Sequence, residues 1–215
     1  MDSRRHAVRL LWAIAALALM LTAAGMFGLD FAMTRWTAGL PDGGTVWDQG
    51  TALLDLIALK HISTFLLGFL LLLAAAVLVA MRRTRRTGWI LLYIGAVQFT
   101  STVIADLSKP QLGRLRPFEA AQQGGIDTWF VGANSFPSGH TAFYAGLFLP
   151  LMLVFPRAAW LLAIPPLFIA LARILEHDHY LSDVTVSLAL AGLLAIAFRF
   201  LLARAGATDQ PNHSR

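Results

Sequence analysis

Long apolar segments are the feature that most constrains this chain. A segment of about 20 apolar residues, as a helix, spans the hydrocarbon core of a bilayer, about 30 Å thick. Residues 10–29 form such a segment almost without a polar side chain. Of the 215 residues, 57% are hydrophobic and 13% are charged, whereas soluble domains have about 25% charged residues. The sequence therefore predicts an integral membrane protein of the all-α class.

Six apolar segments predict a polytopic helical bundle with about six transmembrane helices, in a single domain over residues 1–215. Their predicted bounds are 10–29, 62–81, 89–107, 140–155, 158–175 and 183–204. A cleaved signal peptide is the alternative for the first segment, but the apolar run is too long and further segments follow. Pro165 and Pro166 predict a kink in the fifth segment. Residues 30–59 form a mixed connection, in which 51–59 has an apolar face suited to the membrane interface.

The positive charges are placed as topology signals. The net charge is +5, but most of the arginines lie in short clusters between apolar segments, as in residues 82–86, which argues against a nucleic-acid partner. Cytoplasmic loops carry an excess of Lys and Arg. We therefore expect both termini in the cytoplasm and the polar loops 109–139 and 176–182 on the outer side of the cytoplasmic (inner) membrane. The absence of cysteine excludes thiolate nucleophiles and cysteine-bound metals.

A short polar turn precedes the fourth apolar segment. Ser138 is a good N-cap residue, and Gly139 allows close backbone approach by a ligand. A helix N-terminus carries unpaired N–H groups and a partial positive charge, so that a phosphate could bind beside Gly139 and His140. An ordinary capped turn is the alternative interpretation.

Charged residues flank this turn in the two predicted outer loops. Arg173 lies near the end of the fifth segment, where a buried arginine requires an anionic partner. The sequence His177-Asp178-His179 suggests a metal site, but there is no further His or Cys cluster nearby to complete one. We expect Glu176 and Asp178 to be solvated loop carboxylates.

Three further charged residues have simpler interpretations at this point. We expect Arg114 and Asp106 to be interfacial salt-bridge partners. Lys60, with His61 beside it, marks the outer end of the second segment, and direct contact with a substrate is the less favoured alternative.

Three groups of residues resemble the signature of the type 2 phosphatidic acid phosphatase superfamily, which includes soluble acid phosphatases and vanadium haloperoxidases. In order, they are Lys109-(six residues)-Arg116-Pro117, Pro137-Ser138-Gly139-His140 and Arg173-(five residues)-His179-(three residues)-Asp183. The order and the internal spacing both match. One departure is Ala172, where the family usually has serine.

The resemblance implies a role for each of these residues. Lys109, Arg116 and Arg173 would bind phosphate, together with Ser138 and the amide of Gly139. His179 would attack phosphorus, Asp183 would orient His179, and His140 would protonate the leaving oxygen. His177 should point elsewhere, and the resemblance implies neither a metal nor another cofactor.

The resemblance also implies a class of substrate, a phosphorylated membrane lipid that loses a terminal phosphate monoester or diphosphate through a phosphohistidine intermediate. Undecaprenyl diphosphate is our first expectation, and lipid A 1-phosphate, phosphatidylglycerol phosphate and phosphatidic acid are the alternatives. A lipid phosphotransferase would use the same residues. A non-catalytic relative is disfavoured because every charged residue of the signature is present, and the sequence does not indicate the oligomeric state.

Overall fold

The computed structural model describes residues 2–40 and 44–204, and these ranges contain helices and no strand. The α-helices are α1 Asp2–Ala24, α2 Asp30–Ala38, α3 Gly44–Ile57, α4 Leu66–Ala80, α5 Arg85–Leu112, α6 Pro117–Gln122, α7 Gly139–Val154, α8 Ala159–Leu162, α9 Ile164–Leu175 and α10 Leu181–Arg204. The prediction of an all-α fold is confirmed.

Four helices surround the main hydrophobic core. Helices α1, α5, α7 and α10 contribute Leu11, Val97, Leu149 and Ala195, respectively, to one buried cluster. Helix α4 packs along α5, and α9 packs against α7. A second cluster, which includes Ala58 from the segment after α3, joins α7 and α9. The bundle therefore holds the polar ends of α5, α7, α9 and α10 in fixed positions.

Each of the six predicted apolar segments contains an apolar helix. Four helical stretches are long and apolar enough to cross a membrane, namely His6–Ala38, Arg85–Gln122, Pro156–Leu175 and Leu181–Arg204. Leu66–Ala80 and Gly139–Val154 are also apolar but shorter. A helix of 15 residues is about 22 Å long, less than the hydrocarbon thickness. The chain is thus a multi-pass helical membrane protein whose individual helices differ in length.

The first helix extends beyond its predicted end. A π-helical turn, Gly25–Leu29, joins α1 to α2, so that residues 30–38 are helical rather than part of a connection. Gly28 bends the chain there with a φ of 131°, a conformation that residues with a Cβ rarely adopt. The bend turns Asp30 into the bundle, where it is buried. Residues 44–57 are also helical, and the apolar side chains of Leu53 and Ile57 are exposed.

The two prolines of the fifth segment begin a helix instead of kinking one. The chain breaks at Ala163, between α8 and α9, and Pro165 and Pro166 lie in the first turn of α9. Backbone N–H groups in a first turn have no helical partner, so proline removes no hydrogen bond there. The fifth segment is therefore interrupted near the prolines, as predicted, but the interruption is the start of a new helix and not a kink within one.

The close packing of α5 against α7 depends on Gly146. A methyl group added at this position would overlap the Ser101 hydroxyl and lie 3.0 Å from the Gln98 Cα atom. At Gly192 in α10 an added methyl group would meet no atom closer than 3.5 Å. We expect Gly146→Ala to lower the free energy of unfolding by about 1–3 kcal/mol, the usual range for overpacking. Gly192→Ala is the matched control and should keep the wild-type melting temperature in detergent. Equal melting temperatures for the two variants would contradict this account.

Candidate active site

A polar cavity of about 170 Å³ lies where the two predicted outer loops meet, at one end of the bundle. It contains six of the eight residues predicted for the site. The residues that line it are Lys60, Thr64, Thr102, Asp106, Lys109, Arg116, Gly139, His140, Arg173, Asp178 and His179. Of the other two predicted residues, Asp183 lies behind His179, and Ser138 does not line the cavity.

Three cationic side chains reach the cavity from three different helices. Lys109 lies in the last turn of α5, Arg116 is the N-cap residue of α6, and Arg173 lies in the last turn of α9. The bundle therefore brings Arg173 to the same cavity as Lys109 and Arg116, which lie more than 50 residues earlier in the sequence. Such a cluster can neutralise the oxygens of a phosphoryl group without a metal ion.

Asp178 and Glu176 form salt bridges with the arginines of the cavity. This differs from the expectation that these two carboxylates are solvated. Asp178 bridges the two arginines, with Oδ2 2.5 Å from an Arg173 nitrogen and Oδ1 3.2 Å from an Arg116 nitrogen. Arg173 also forms a salt bridge with Glu176, whose side chain is only 9% exposed. Burial raises the pKa of Glu176 to about 7, although the charge of Arg173 acts in the opposite direction. Such partners are what a largely buried arginine requires.

The turn before α7 provides a close backbone approach. A methyl group on Gly139 would lie 2.9 Å from Nζ of Lys109, so that only glycine leaves this amine in its present position. Ser138 is the N-cap residue of α7, and its fully buried hydroxyl accepts a hydrogen bond from the Thr141 hydroxyl at 3.0 Å. This hydroxyl caps the helix and does not line the cavity, and the predicted role of Ser138 in binding phosphate stays a prediction.

His179 is a buried histidine between α9 and α10. Its Nδ1 atom is 3.4 Å from Oδ2 of Asp183, a close approach but longer than a normal hydrogen bond. Burial lowers the pKa of His179, with help from Arg116 and Lys109, and this effect exceeds the opposite effect of Asp183. A neutral imidazole is the form that can act as a nucleophile.

Asp183 is held in place by donors on three sides. The Ser135 hydroxyl donates to Oδ2 at 2.5 Å, and the Tyr180 backbone N–H donates to the same oxygen at 2.9 Å. Arg114 donates to Oδ1 at 2.5 Å. These contacts fix the carboxylate beside His179, so that Asp183 can orient the imidazole ring.

Arg114 forms salt bridges, as expected, but it is completely buried within the protein. Besides Asp183, its guanidinium forms salt bridges with Asp30 at 2.7 Å and Asp127 at 2.6 Å. Its central carbon also lies over the rings of Trp129 and Tyr180, 4.6 Å and 3.9 Å from their centroids. Sequence reasoning missed this cluster. The available signal was Asp30, a carboxylate at the end of an apolar segment that needs a buried cation.

His140 has a carboxylate neighbour that sequence reasoning also missed. Its Nε2 atom is 3.0 Å from Oδ2 of Asp55 in α3 and 2.9 Å from Nζ of Lys60. Burial raises the pKa of Asp55, but His140, the Tyr144 hydroxyl and Lys60 outweigh this effect, so that the pKa lies below its ordinary value. Burial lowers the pKa of Lys60 despite the charge of Asp55. Lys60 thus lies within the cavity wall rather than only marking the end of a helix.

The remaining histidine of the sequence His177-Asp178-His179 lies outside the cavity. Nε2 of His177 is 3.0 Å from the Thr37 hydroxyl, so His177 points away from the phosphate-binding residues, as expected. Among residues 2–40 and 44–204, no group of three or more His, Cys, Asp or Glu side chains could hold a metal ion.

Comparison with known proteins gives partial matches to bacterial lipid phosphatases. The chain is 33% identical over 122 residues to the lipid A 1-phosphatase of Rhizobium etli, and the alignment covers 53% of each protein. It is 34% identical over 142 residues to the decaprenylphosphoryl-5-phosphoribose phosphatase of Mycobacterium tuberculosis, and the alignment covers 61% of this chain and 70% of that protein. The chain thus spans about half the length of the first of these relatives.

A solved structure has the same fold. It is the transmembrane PAP2 type phosphatidylglycerolphosphate phosphatase of Bacillus subtilis, with a TM-score of 0.59 and 21% sequence identity, over 90% of this chain and 96% of the other. The family model described as the PAP2 superfamily matches residues 86–206, which is more than half of the chain and contains all eight predicted site residues. The chain therefore belongs to the PAP2 superfamily.

Proposed function

We propose that this protein is a metal-independent lipid phosphatase that removes a terminal phosphate from a membrane lipid through a phosphohistidine intermediate. One observation carries the proposal. Lys109, Arg116 and Arg173 converge on a cavity that also contains His179, and the carboxylate of Asp183 lies behind this histidine. Positive charge around the phosphoryl oxygens and an oriented nucleophile are what phosphoryl transfer requires from a protein.

The first step forms the intermediate. The substrate phosphate displaces Asp178 from the two arginines and binds between them and Lys109. Nε2 of His179 then attacks phosphorus while the bond from phosphorus to the leaving oxygen breaks. Asp183 stabilises the positive charge that develops on the imidazole, because Oδ2 faces its Nδ1 atom.

His140 transfers the proton in both steps of the proposed reaction. His140 gives a proton to the leaving oxygen as the bond breaks, so that the lipid product leaves as a neutral hydroxyl group or as a protonated phosphate. A water molecule then attacks the phosphohistidine and returns a proton to His140. The N–P bond breaks, inorganic phosphate is released and both histidines regain their starting states.

The specific lipid is the finer part of the proposal. The matched relatives are named for lipid A 1-phosphate and for a polyprenyl phosphoribose phosphate, and these names favour a glycolipid phosphate over undecaprenyl diphosphate, our first expectation from the sequence. We therefore propose lipid A 1-phosphate as the first substrate to test and keep undecaprenyl diphosphate as the alternative. The proposed location is the cytoplasmic membrane, with the site on its outer side.

Phosphate release from a panel of lipids tests this function directly. The purified protein in detergent should release inorganic phosphate from at least one of lipid A, undecaprenyl diphosphate, phosphatidylglycerol phosphate and phosphatidic acid. Excess EDTA should leave the rate unchanged, because three side chains supply the positive charge. Orthovanadate should inhibit, since it resembles the pentacoordinate transition state. Loss of activity in EDTA, with recovery on addition of one divalent ion, would contradict the proposal.

The two neighbouring histidines provide a matched pair of variants. We expect His179→Ala to lower turnover by several orders of magnitude and to abolish the phosphoenzyme, because it removes the nucleophile. His177→Ala should keep most of the activity, since His177 contacts Thr37 instead of the cavity. Labelled phosphate trapped by rapid quenching in base, where phosphohistidine is stable, measures the intermediate. Phosphate mapped to His177 would reverse the assignment.

Membrane orientation can be tested in this cysteine-free chain. Gln123, after α6, and Arg83, between α4 and α5, are both exposed and lie at opposite ends of α5. Single cysteines at these positions should react with a membrane-impermeant maleimide from opposite sides, with Gln123→Cys labelled from the outside of intact cells. Labelling of both from the same side would contradict the proposed topology.

A further inference from the structure

We infer that Asp55 is the positioning residue for His140, so that the leaving oxygen receives its proton from a second histidine–carboxylate pair, separate from His179 and Asp183. This inference rests on the proposed function, because it assigns a partner to the proposed general acid. Asp55 precedes the part of the chain that matches the family model, residues 86–206.

The contacts of Asp55 tie α3 to one face of α7. Its Oδ2 atom is 3.0 Å from Nε2 of His140, and its Oδ1 atom accepts a hydrogen bond from the Tyr144 hydroxyl at 2.7 Å. His140 and Tyr144 are four residues apart, so their side chains lie on the same face of the helix. A carboxylate that is held at both oxygens keeps the imidazole ring in one orientation.

The charges around His140 explain why a carboxylate is needed there. Nζ of Lys60 is 2.9 Å from the same nitrogen, and Arg173 lines the same cavity. These cations oppose a positive charge on His140, whereas Asp55 favours it. Asp55 therefore offsets part of the repulsion that the charged form of His140, the form that donates the proton, meets in this cavity.

The two ring nitrogens of His140 then have separate tasks. In the charged form, Nε2–H donates to Asp55, while Nδ1 makes no hydrogen bond with any residue in the described part of the chain. Nδ1 therefore carries the proton that moves to the leaving oxygen as that oxygen takes the electron pair of the breaking P–O bond. In the hydrolysis step, water forms the new P–O bond and gives a proton back to Nδ1 as the N–P bond breaks.

The dependence of the rate on the leaving group separates a positioning role from a merely structural one. A lipid substrate has a poor leaving group that needs a proton, whereas p-nitrophenyl phosphate releases a stable anion that does not. A general acid contributes about 10²- to 10⁴-fold to a rate. We expect Asp55→Asn to lower kcat/KM for the lipid substrate by at least about tenfold and to change kcat/KM for p-nitrophenyl phosphate by less than about threefold. The ratio kcat/KM covers phosphoenzyme formation and leaves out the hydrolysis step that both substrates share. His140→Ala should give the same selective pattern.

A matched control and a second variant complete the experiment. His61→Gln removes an exposed histidine that lies next to Lys60 and whose Nδ1 atom is 3.3 Å from the backbone oxygen of Asp55, and it should not change either value of kcat/KM. If Asp55→Asn does not fold, Tyr144→Phe removes one hydrogen bond to Asp55 and should give a smaller loss with the same selectivity.

Three results would overturn the inference. An equal loss of kcat/KM on both substrates would assign Asp55 a structural role, and wild-type values of kcat/KM on both would assign it no role. A wild-type protein that is inactive on both substrates would overturn the proposed function and the inference with it.

Discussion

The buried salt-bridge cluster around Arg114 is the interaction on which the rest of the site depends. A guanidinium with no exposed surface contacts carboxylates from α2, from the loop after α6 and from α10. Burial of one unpaired charge costs several kcal/mol, so these groups stabilise the fold only together. The Asp30 carboxylate also accepts a hydrogen bond from the Ser182 backbone N–H at 2.8 Å. This bond lies at the N-terminal end of α10, where a negative charge is favourable. The cluster therefore fixes the start of α10 and, with it, Asp183 and His179.

Carboxylates offset part of the positive charge of the cavity. Arg116 and Arg173 share the carboxylate of Asp178, and Lys60 lies near Asp55. Each pair partly offsets the electrostatic repulsion among cations that share one small volume. A phosphate group would compete with Asp178 for the same two arginines. The preference for phosphate must then come from its larger charge and its additional oxygens, which Lys109 and the backbone near Gly139 can also contact.

The sequence predicted the fold and most of the cavity, because apolar segment length and residue spacing are local properties of the chain. Apolar runs of helical length can satisfy their backbone hydrogen bonds only as helices in lipid, and the spacing from Arg173 to Asp183 places His179 beside its carboxylate. The roles of Arg114 and Asp55 were not predictable in this way. Their partners are 84 residues away, at Asp30, and 85 residues away, at His140, and only tertiary packing brings them together. The resemblance assigned Ser138 to phosphate binding, but the position of its hydroxyl is set by the hydrogen bond with which it caps α7.

The two histidine–carboxylate pairs differ in how firmly they are held. His179 and Asp183 have almost no exposed surface and are fixed by the Arg114 cluster. His140 and Asp55 have side chains that are 26% and 17% exposed, and Asp55 belongs to α3, a short helix that packs mainly against α9. Chemistry at phosphorus is the same for every phosphorylated lipid, and it requires an invariant geometry. The leaving group is the part that differs between lipids. If His140 protonates it, as proposed, we expect the preference for a particular lipid to depend on the more exposed pair, which lies on α3 and the first turn of α7.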